Sequence, residues 1–259
     1  MKILMVGDIV GSPGRAAFIK VVGRLRCEGR AHFVVANAEN AASGNGLTLP
    51  IARELLDNGA DLLTLGDHSW GQKGFDTDIG ADKRILRPGN FCPDLPGSGM
   101  ATIQGSIGSV TVINLQGRVF MQPADCPFRC ADALLKKAPG GVPVVVDFHA
   151  EATSEKTAMG HHLDGRVAAV AGTHTHVQTN DARLLPRGTG YVTDVGMTGS
   201  SEGIIGRQIP DVLKKFTQGL PVRLNVAEEK PVLEGVLFDI DLQTCKCRSV
   251  TLVREFAGE

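Results

Sequence analysis

Acidic, amide and histidine side chains follow several apolar runs of this sequence, close to the point where each run ends. They are Asp8, Glu39 and Asn40, Asp67 and His68, His149, and the pair His174 and His176. Mixed oxygen and imidazole donors suit Mn, Fe or Zn better than Ca or Mg. So many donors exceed what one tetrahedral zinc needs, and they fit two ions about 3.5–4 Å apart that share a carboxylate. The donor types therefore predict a dinuclear metal site.

Each of these residues also has an ordinary structural explanation. Asp8 could be a loop acid near a helix N-terminus, and Glu39 and Asn40 could belong to a turn. The segment from Asp67 could be a helix cap, and His149 could be a histidine of the core. The metal interpretation is favoured because five separate strand ends would otherwise carry such residues by coincidence.

Buried strands and amphipathic helices alternate in the first part of the chain and must position these residues. The runs "KILMVG", "HFVVAN" and "ADLLTLG" predict strands, whereas "RAAFIKVVGRLRCEG" and "LTLPIARELLDNG" predict helices. For the first helix, Ser12 is the expected N-cap and Pro13 the expected first residue. Short strand–helix–strand connections indicate a parallel sheet, and such sheets bind ligands beyond the carboxyl ends of their strands.

The rest of the chain predicts further strands. A hairpin is expected in "MATIQGSIGSVTVINLQG", a helix in "ADCPFRCADALLKKAPG", and strands in "VPVVVDFHAEATSEK", "RVAAVAGTHTHVQTND" and "GTGYVTDVGMTGS". If His174 and His176 lie in an extended segment, both imidazoles point to one side, about 7 Å apart. Alternation in the tail after Leu220 predicts antiparallel strands that pair into a second sheet. One two-sheet domain over residues 1–259 is the simplest interpretation.

Composition and charge limit the classes of partner. With 259 residues, 42% hydrophobic and 21% charged, the chain has the composition of a soluble globular protein. A formal net charge of -1 argues against a stable nucleic-acid complex or attraction to an anionic membrane. Asp8 interrupts the apolar N-terminal run, and no other run approaches about 18 apolar residues, so we expect a cytoplasmic protein without a membrane partner.

Other motifs are weaker. The six cysteines are expected to be reduced thiols, and the two close pairs, Cys126 with Cys130 and Cys245 with Cys247, lack the usual spacing of a zinc site. The segment "GDIVGSPG" has neither the spacing of a dinucleotide fingerprint nor the lysine of a P-loop, which argues against a nucleotide-binding oxidoreductase. The "GHHLDG" histidines, residues 161 and 162, are expected to be surface or structural residues. Trp70 is expected to be a pocket wall or core.

The sequence resembles the calcineurin-type metallophosphoesterases, and more closely their YmdB-like branch of bacterial cyclic-nucleotide phosphodiesterases. The matching segments are "GDIVGSPGR", "NAENAASG", "GDHSW", "DFHAEATSEK", "GTHTHVQTND" and "TDVGMTG". The resemblance implies a four-layer α-β-β-α sandwich with two mixed sheets. It also implies a hydrolase of small phosphodiesters, with 2',3'- or 3',5'-cyclic nucleotides as substrates, and self-association into a homo-oligomer.

The resemblance further implies roles for the candidate residues. One metal ion would be held by Asp8, Glu39, Asn40 and His176, and the other by Glu39, Asp67, His149 and His174, so that Glu39 bridges the two. The ions would be divalent or of mixed valence, Fe or Mn in first place and Zn as an alternative. A hydroxide between them would attack phosphorus, and His68 would protonate the leaving group as general acid.

Position 67 departs from the family pattern. The related motif has Asn followed by His, whereas this chain has Asp67 before His68. A third negative charge beside two ions should weaken the Lewis acidity felt by the substrate, so we expect metal binding to survive while metal preference or rate shifts. The same departure keeps open an alternative function, a metal-binding regulatory or scaffold protein with little turnover.

Overall fold

A computed structural model of the chain describes residues 1–258. The strands, in chain order, are β1 (Lys2–Val6), β2 (Asp8–Ile9), β3 (Phe33–Asn37), β4 (Leu62–Thr64), β5 (Ile85–Leu86), β6 (Met100–Gly105), β7 (Gly108–Gln116), β8 (Val144–His149), β9 (Ala169–Thr173), β10 (Arg183–Leu184), β11 (Gly190–Val192), β12 (Met197–Ser200), β13 (Pro231–Ile240) and β14 (Cys247–Phe256). The α-helices are α1 (Gly11–Cys27), α2 (Leu49–Asp57), α3 (Phe75–Asp78), α4 (Pro127–Leu135), α5 (Thr153–Leu163) and α6 (Ile209–Gln218). A 3-10 helix covers Ile79–Ala81.

Two mixed sheets form the centre of the fold. The first has the order β2-β12-β13-β1-β3-β4-β5, with β14 also paired to β13, and the second has the order β10-β11-β9-β8-β7-β6. In the first sheet β1, β3, β4 and β5 are parallel. In the second sheet β7, β8, β9 and β11 are parallel, and β6 and β10 are antiparallel edges. The predicted parallel sheet and hairpin are confirmed.

The alternation of side chains along β1 explains the four layers. Ile3 and Met5 pack into a core between the two sheets, together with Val112 and Val145 of the second sheet. Leu4, on the opposite face, packs with the buried residues of α1 and α2. The outer face of the second sheet packs against α4 and α5. The predicted α-β-β-α sandwich with two mixed sheets is therefore confirmed.

The tail strands pair differently from the prediction. β13 is antiparallel to β1 over Lys2 to Val6, and β14 is antiparallel to β13, so both extend the first sheet. Alternating side chains identify a strand with one buried face, but they do not specify which sheet it joins. The prediction of antiparallel strands is correct, and their assignment to a second sheet is wrong.

Two further differences concern helices. The first helix begins at Gly11 after Val10, and Ser12 makes no capping hydrogen bond, so the predicted cap is wrong. Helix α5 lies where a strand end with polar residues was expected. Its apolar residues do not recur at helical spacing, because Glu155 and Lys156 occupy part of its buried face. Within residues 1–258, no helix is long and apolar enough to cross a membrane.

Candidate metal centre

The carboxyl ends of strands from both sheets converge at one edge of the sandwich. Asp8 follows β1, Asp67 follows β4, His149 is the last residue of β8, and His174 follows β9. The register pairs Gln116 of β7 with His149. These placements agree with the expectation that ligand-binding residues lie beyond the carboxyl ends of parallel strands.

Four donor atoms lie within 4.8 Å of one another, one each from Glu39, Asp67, His149 and His174. Nε2 of His149 is 3.1 Å from Oε1 of Glu39 and 3.1 Å from Oδ1 of Asp67. Nδ1 of His174 is 3.0 Å from the same His149 nitrogen and 3.3 Å from Oδ1 of Asp67. These four residues are the set that the family resemblance assigns to one ion.

Asp8, Asn40 and His176 lie directly beside this group. Nε2 of His176 is 3.6 Å from Oδ1 of Asp8 and 3.4 Å from Nδ2 of Asn40. Nδ2 of Asn40 donates a hydrogen bond of 3.1 Å to Oε1 of Glu39. Asn40 and Glu39 therefore connect the two sets, as expected if Glu39 belongs to both.

The segment that carries His174 and His176 is a turn rather than an extended strand. The two residues have positive φ angles of 98° and 62°, outside the extended region that was predicted. The backbone N–H of His174 donates to Oδ2 of Asp8, and Thr175 donates its N–H and hydroxyl to Oδ2 of Asp194. Because of this turn, His174 faces the four-residue group, whereas His176 faces Asp8.

Electrostatics in the site are dominated by carboxylates facing imidazoles. Burial lowers the pKa of His149, but Glu39 and Asp67 outweigh burial and hold the pKa well above its ordinary value. Burial raises the pKa of Asp8, but His176 and His149 outweigh it and hold the pKa below its usual range. For Asp67 burial also opposes the larger effect of His149 and His174, which lower the pKa. The carboxylates are therefore ionised at neutral pH and available as ligands.

Two features of the site fit bound cations. Oδ1 of Asp8 is buried and has no hydrogen-bond partner, an arrangement that is costly without a compensating charge. A side chain at Gly66 would collide with the His149 ring and the Glu39 carboxylate, so glycine leaves these donors their space. A set of carboxylates and imidazoles around such a space is the donor chemistry of Mn, Fe or Zn.

His68 lies at the open side of the centre, with 40% of its side chain exposed. Its Nδ1 is 2.9 Å from Oδ1 of Asn40, and the Asn40 amide is oriented by its own bond to Glu39. Nδ1 of His68 is therefore the donor in this pair, and the free nitrogen is Nε2, 3.7 Å from Oδ2 of Asp67. His68 thus combines access to solvent with a fixed ring orientation.

A buried hydrogen-bond chain behind His149 was not predicted. Nδ1 of His149 lies 2.9 Å from Oγ1 of Thr173, and this hydroxyl donates to Oδ1 of Asp147 over 2.6 Å. Thr64 donates to the other oxygen of Asp147. The amide nitrogen of Asn37 makes a longer contact of 3.3 Å with the same ring nitrogen. The signal that could have revealed this chain is the acid inside the apolar run "VVVDFH".

A buried ion pair supports the histidine turn. Nζ of Lys156 lies 2.7 Å from Oδ2 of Asp194, and the two side chains are 1% and 0% exposed. The Asp194 carboxylate also holds Thr175 and, through Oδ1, the backbone N–H of Gly196. The "SEK" and "TDVG" segments, which had no assigned role at the sequence level, therefore meet beneath the turn.

The remaining candidates lie outside the centre. Trp70 is partly buried and packs against the core of the first sheet. His162, near the end of α5, lies 3.0 Å from the Asp132 carboxylate. Among residues 1–258, neither close cysteine pair belongs to a group of potential metal ligands.

Comparisons with known proteins agree with this geometry. Residues 4–253 match the family described as YmdB-like protein. The chain is 49% identical over 247 residues to a 2',3'-cyclic-nucleotide 2'-phosphodiesterase of Bacillus subtilis, covering 95% of this chain and 94% of the relative. A Thermus thermophilus protein of undescribed activity superposes with a TM-score of 0.93 at 38% identity, covering 99% of each chain. A phosphatase from Mycoplasma pneumoniae superposes with a TM-score of 0.92 at 32% identity, covering 99% of this chain and 93% of that one.

Proposed function

The chain belongs to the YmdB-like protein family, and from that membership we propose that it is a metal-dependent phosphodiesterase of small phosphodiesters. The observation that carries the proposal is the convergence of four donor atoms within 4.8 Å at the ends of strands from both sheets. Cyclic nucleotides are the proposed substrates because the relative of 49% identity is named for 2',3'-cyclic nucleotides.

Two sets of residues would hold the metal ions. Glu39, Asp67, His149 and His174 form one set, and Asp8, Glu39, Asn40 and His176 form the other. Fe or Mn fits this mixture of oxygen and nitrogen donors, and Zn is an alternative. Bound there, two divalent ions supply a nucleophile from water near neutral pH and neutralise charge on the phosphoryl oxygens.

His68 is the proposed general acid. Hydrolysis of a cyclic phosphodiester adds water at phosphorus and breaks one bond from phosphorus to a ribose oxygen, which must then take up a proton. His68 is exposed on one side, and its Nδ1 proton is held by Asn40, so Nε2 is the nitrogen that can deliver a second proton. Such a group contributes roughly 10²–10⁴ in rate.

The proposal is tested by assaying hydrolysis of 2',3'-cyclic AMP and bis-p-nitrophenyl phosphate with Mn²⁺, before and after chelation. We expect activity that chelation abolishes, that Asp8→Asn abolishes, and that His68→Ala lowers by roughly 10²–10⁴. His161→Ala, which changes an exposed histidine of α5, is the matched control. Unchanged turnover in His68→Ala would reject the general-acid role alone.

A second candidate function is a metal-binding regulatory or scaffold protein with little turnover. The observation that favours it is the third carboxylate of the centre, Asp67, whose Oδ1 lies 3.1 Å from Nε2 of His149. Full metal content without hydrolysis of either ester would support this candidate and overturn the phosphodiesterase proposal.

A further inference from the structure

The loop that follows β7 borders the metal centre. Gln116, the last residue of β7, is in register with His149, and the N–H of Gly117 donates to the His149 carbonyl over 2.9 Å. Phe120 comes three residues later, so its backbone lies at most about 11 Å from Gly117. The loop therefore stands at the carboxyl edge of the second sheet, where a substrate of this centre would bind.

This loop is held in place by a buried carboxylate. Glu155 of α5 is 8% exposed and accepts the backbone N–H groups of Arg118 and Val119 at 3.1–3.2 Å. A side chain at Gly117 would collide with Ala150 and with Glu155, so glycine permits this close approach. The loop is thus positioned by specific contacts on the side that faces α5.

The most exposed large apolar side chain of residues 1–258 lies at the tip of this loop. Phe120 is 89% exposed and has a φ of +61°, in the left-handed region that disfavours bulky side chains. It is the third residue of a turn in which the N–H of Met121 donates to the carbonyl of Arg118. Glycine or asparagine is usual at this position when φ is positive. A ring that is both strained and exposed contributes nothing to the folding core, which indicates a role in binding.

The charge next to the ring indicates what kind of ligand binds. Arg118 is exposed, and its guanidinium forms no ion pair with any other residue among the first 258. An aromatic face and an unpaired cation beside a phosphoester site complement a ligand that has a flat ring and an anionic group. A nucleotide has both, whereas a purely apolar protein surface would leave the cation unpaired.

We propose that Phe120 is a specificity-determining residue that stacks on the base of a nucleoside cyclic phosphate bound at the metal centre. The proposal rests on the proposed phosphodiesterase function and adds the base as a recognised group. Stacking of a base on an aromatic side chain is sequence-tolerant, because every base has a π face. Phe120 would therefore favour nucleotides over phosphodiesters that lack a base, with little preference among bases.

The test compares two substrates with the same scissile ester, 2',3'-cyclic AMP and the 2',3'-cyclic phosphate of methyl riboside, which has no base. In Phe120→Gly, where glycine suits the positive φ, we expect the KM for 2',3'-cyclic AMP to rise about 5- to 150-fold. The KM for the riboside and both kcat values should stay within about twofold. Phe120→Tyr should restore the low KM, and Phe216→Ala, at a 79% exposed position of α6, is the control.

Each outcome bears on one claim. An unchanged KM for 2',3'-cyclic AMP in Phe120→Gly, or an equal rise for both substrates, would overturn the stacking role and leave a protein contact as the use of the ring. If the unmodified holoenzyme hydrolyses neither substrate, the phosphodiesterase function fails. In that case a separate measurement, binding of 2',3'-cyclic AMP to the metal-loaded protein and to Phe120→Gly, still tests the stacking.

Discussion

The hydroxyl oxygen of Thr173 lies 2.9 Å from Nδ1 of His149, on the side of the ring opposite the metal centre. Burial raises the pKa of Asp147 to about 6, so at pH 7 and above Asp147 is a carboxylate that can only accept hydrogen bonds. The Thr173 hydroxyl proton is directed to Asp147, so the Thr173 oxygen accepts from Nδ1–H of His149. This arrangement leaves the lone pair of Nε2 for the site.

We predict that Thr173→Val weakens metal binding about 10- to 100-fold, because the His149 ring loses the acceptor that fixes its tautomer. Thr173→Ser, which keeps the hydroxyl, should bind metal normally. Metal affinity is measured by titration of the metal-free protein, and the melting temperature of that protein monitors the fold. Equal metal affinities in the valine and serine variants would contradict the role of the hydroxyl.

We predict that Gly66→Ala abolishes metal loading, because the added methyl group would occupy the space of the His149 ring and the Glu39 carboxylate. Overpacking of this kind costs about 1–3 kcal/mol of stability. Gly80→Ala is the matched control, since a methyl group there meets no atom within 4 Å. The measurements are metal content per chain and urea denaturation. Full metal content in Gly66→Ala would show that the site has room that the geometry denies.

We predict that Asp67→Asn retains both ions but changes metal preference and raises turnover with a given metal. Removal of one negative charge next to His149 and His174 strengthens the Lewis acidity felt by the substrate. The comparison requires metal analysis and kcat with Mn²⁺, Fe²⁺ and Zn²⁺ for both proteins. Identical metal content and identical turnover would show that the charge at position 67 has no effect.

We predict that Lys156→Met lowers the free energy of unfolding by about 3–5 kcal/mol, because it leaves the fully buried Asp194 carboxylate without its cation. The control is Glu202→Gln, which removes a surface ion pair with Lys230 and should have little effect. Urea denaturation of the metal-free proteins measures both. A loss below 1 kcal/mol in Lys156→Met would mean that Asp194 is stabilised by its other hydrogen bonds alone.

We predict that metal affinity rises with pH across the neutral range. In the metal-free protein the neighbouring carboxylates raise the pKa of His149 and His176, so both rings carry a proton that a metal must displace. Binding should therefore release protons, which calorimetry in two buffers of different ionisation enthalpy detects. Affinity and proton count that stay constant from pH 6 to 8 would contradict the protonated state of these rings.

Much of the site was predictable from sequence because strand ends have clear local signals. Buried runs such as "HFVVAN" and "ADLLTLG" identify strands, and short helical crossovers imply that these strands are parallel. Polar residues that follow such strands must then meet at one edge. The set of seven candidate ligands and His68 follows from this reasoning, although their roles at the centre stay predictions.

The sequence did not predict the features that depend on residues far apart in the chain. The turn at His174 and His176 is supported by Asp8, 166 residues away from His174, and by Asp194. Helix α5 lacks a helical apolar pattern because Lys156 is paired inside the protein. The tail strands could satisfy their alternating pattern in either sheet, and β1 offers the free edge that decides it.

The sequence by itself determined the layers, the parallel strands and the residues that reach the metal centre, because these depend on local periodicity and chain order. Only the tertiary structure decided which atoms face each other. It placed Asp147 behind Thr173, Asp194 beneath Thr175, and Phe120 at the rim beside His149. Hydrogen bonds and close packing act over a few ångströms between distant segments, so they are fixed only when both sheets have assembled.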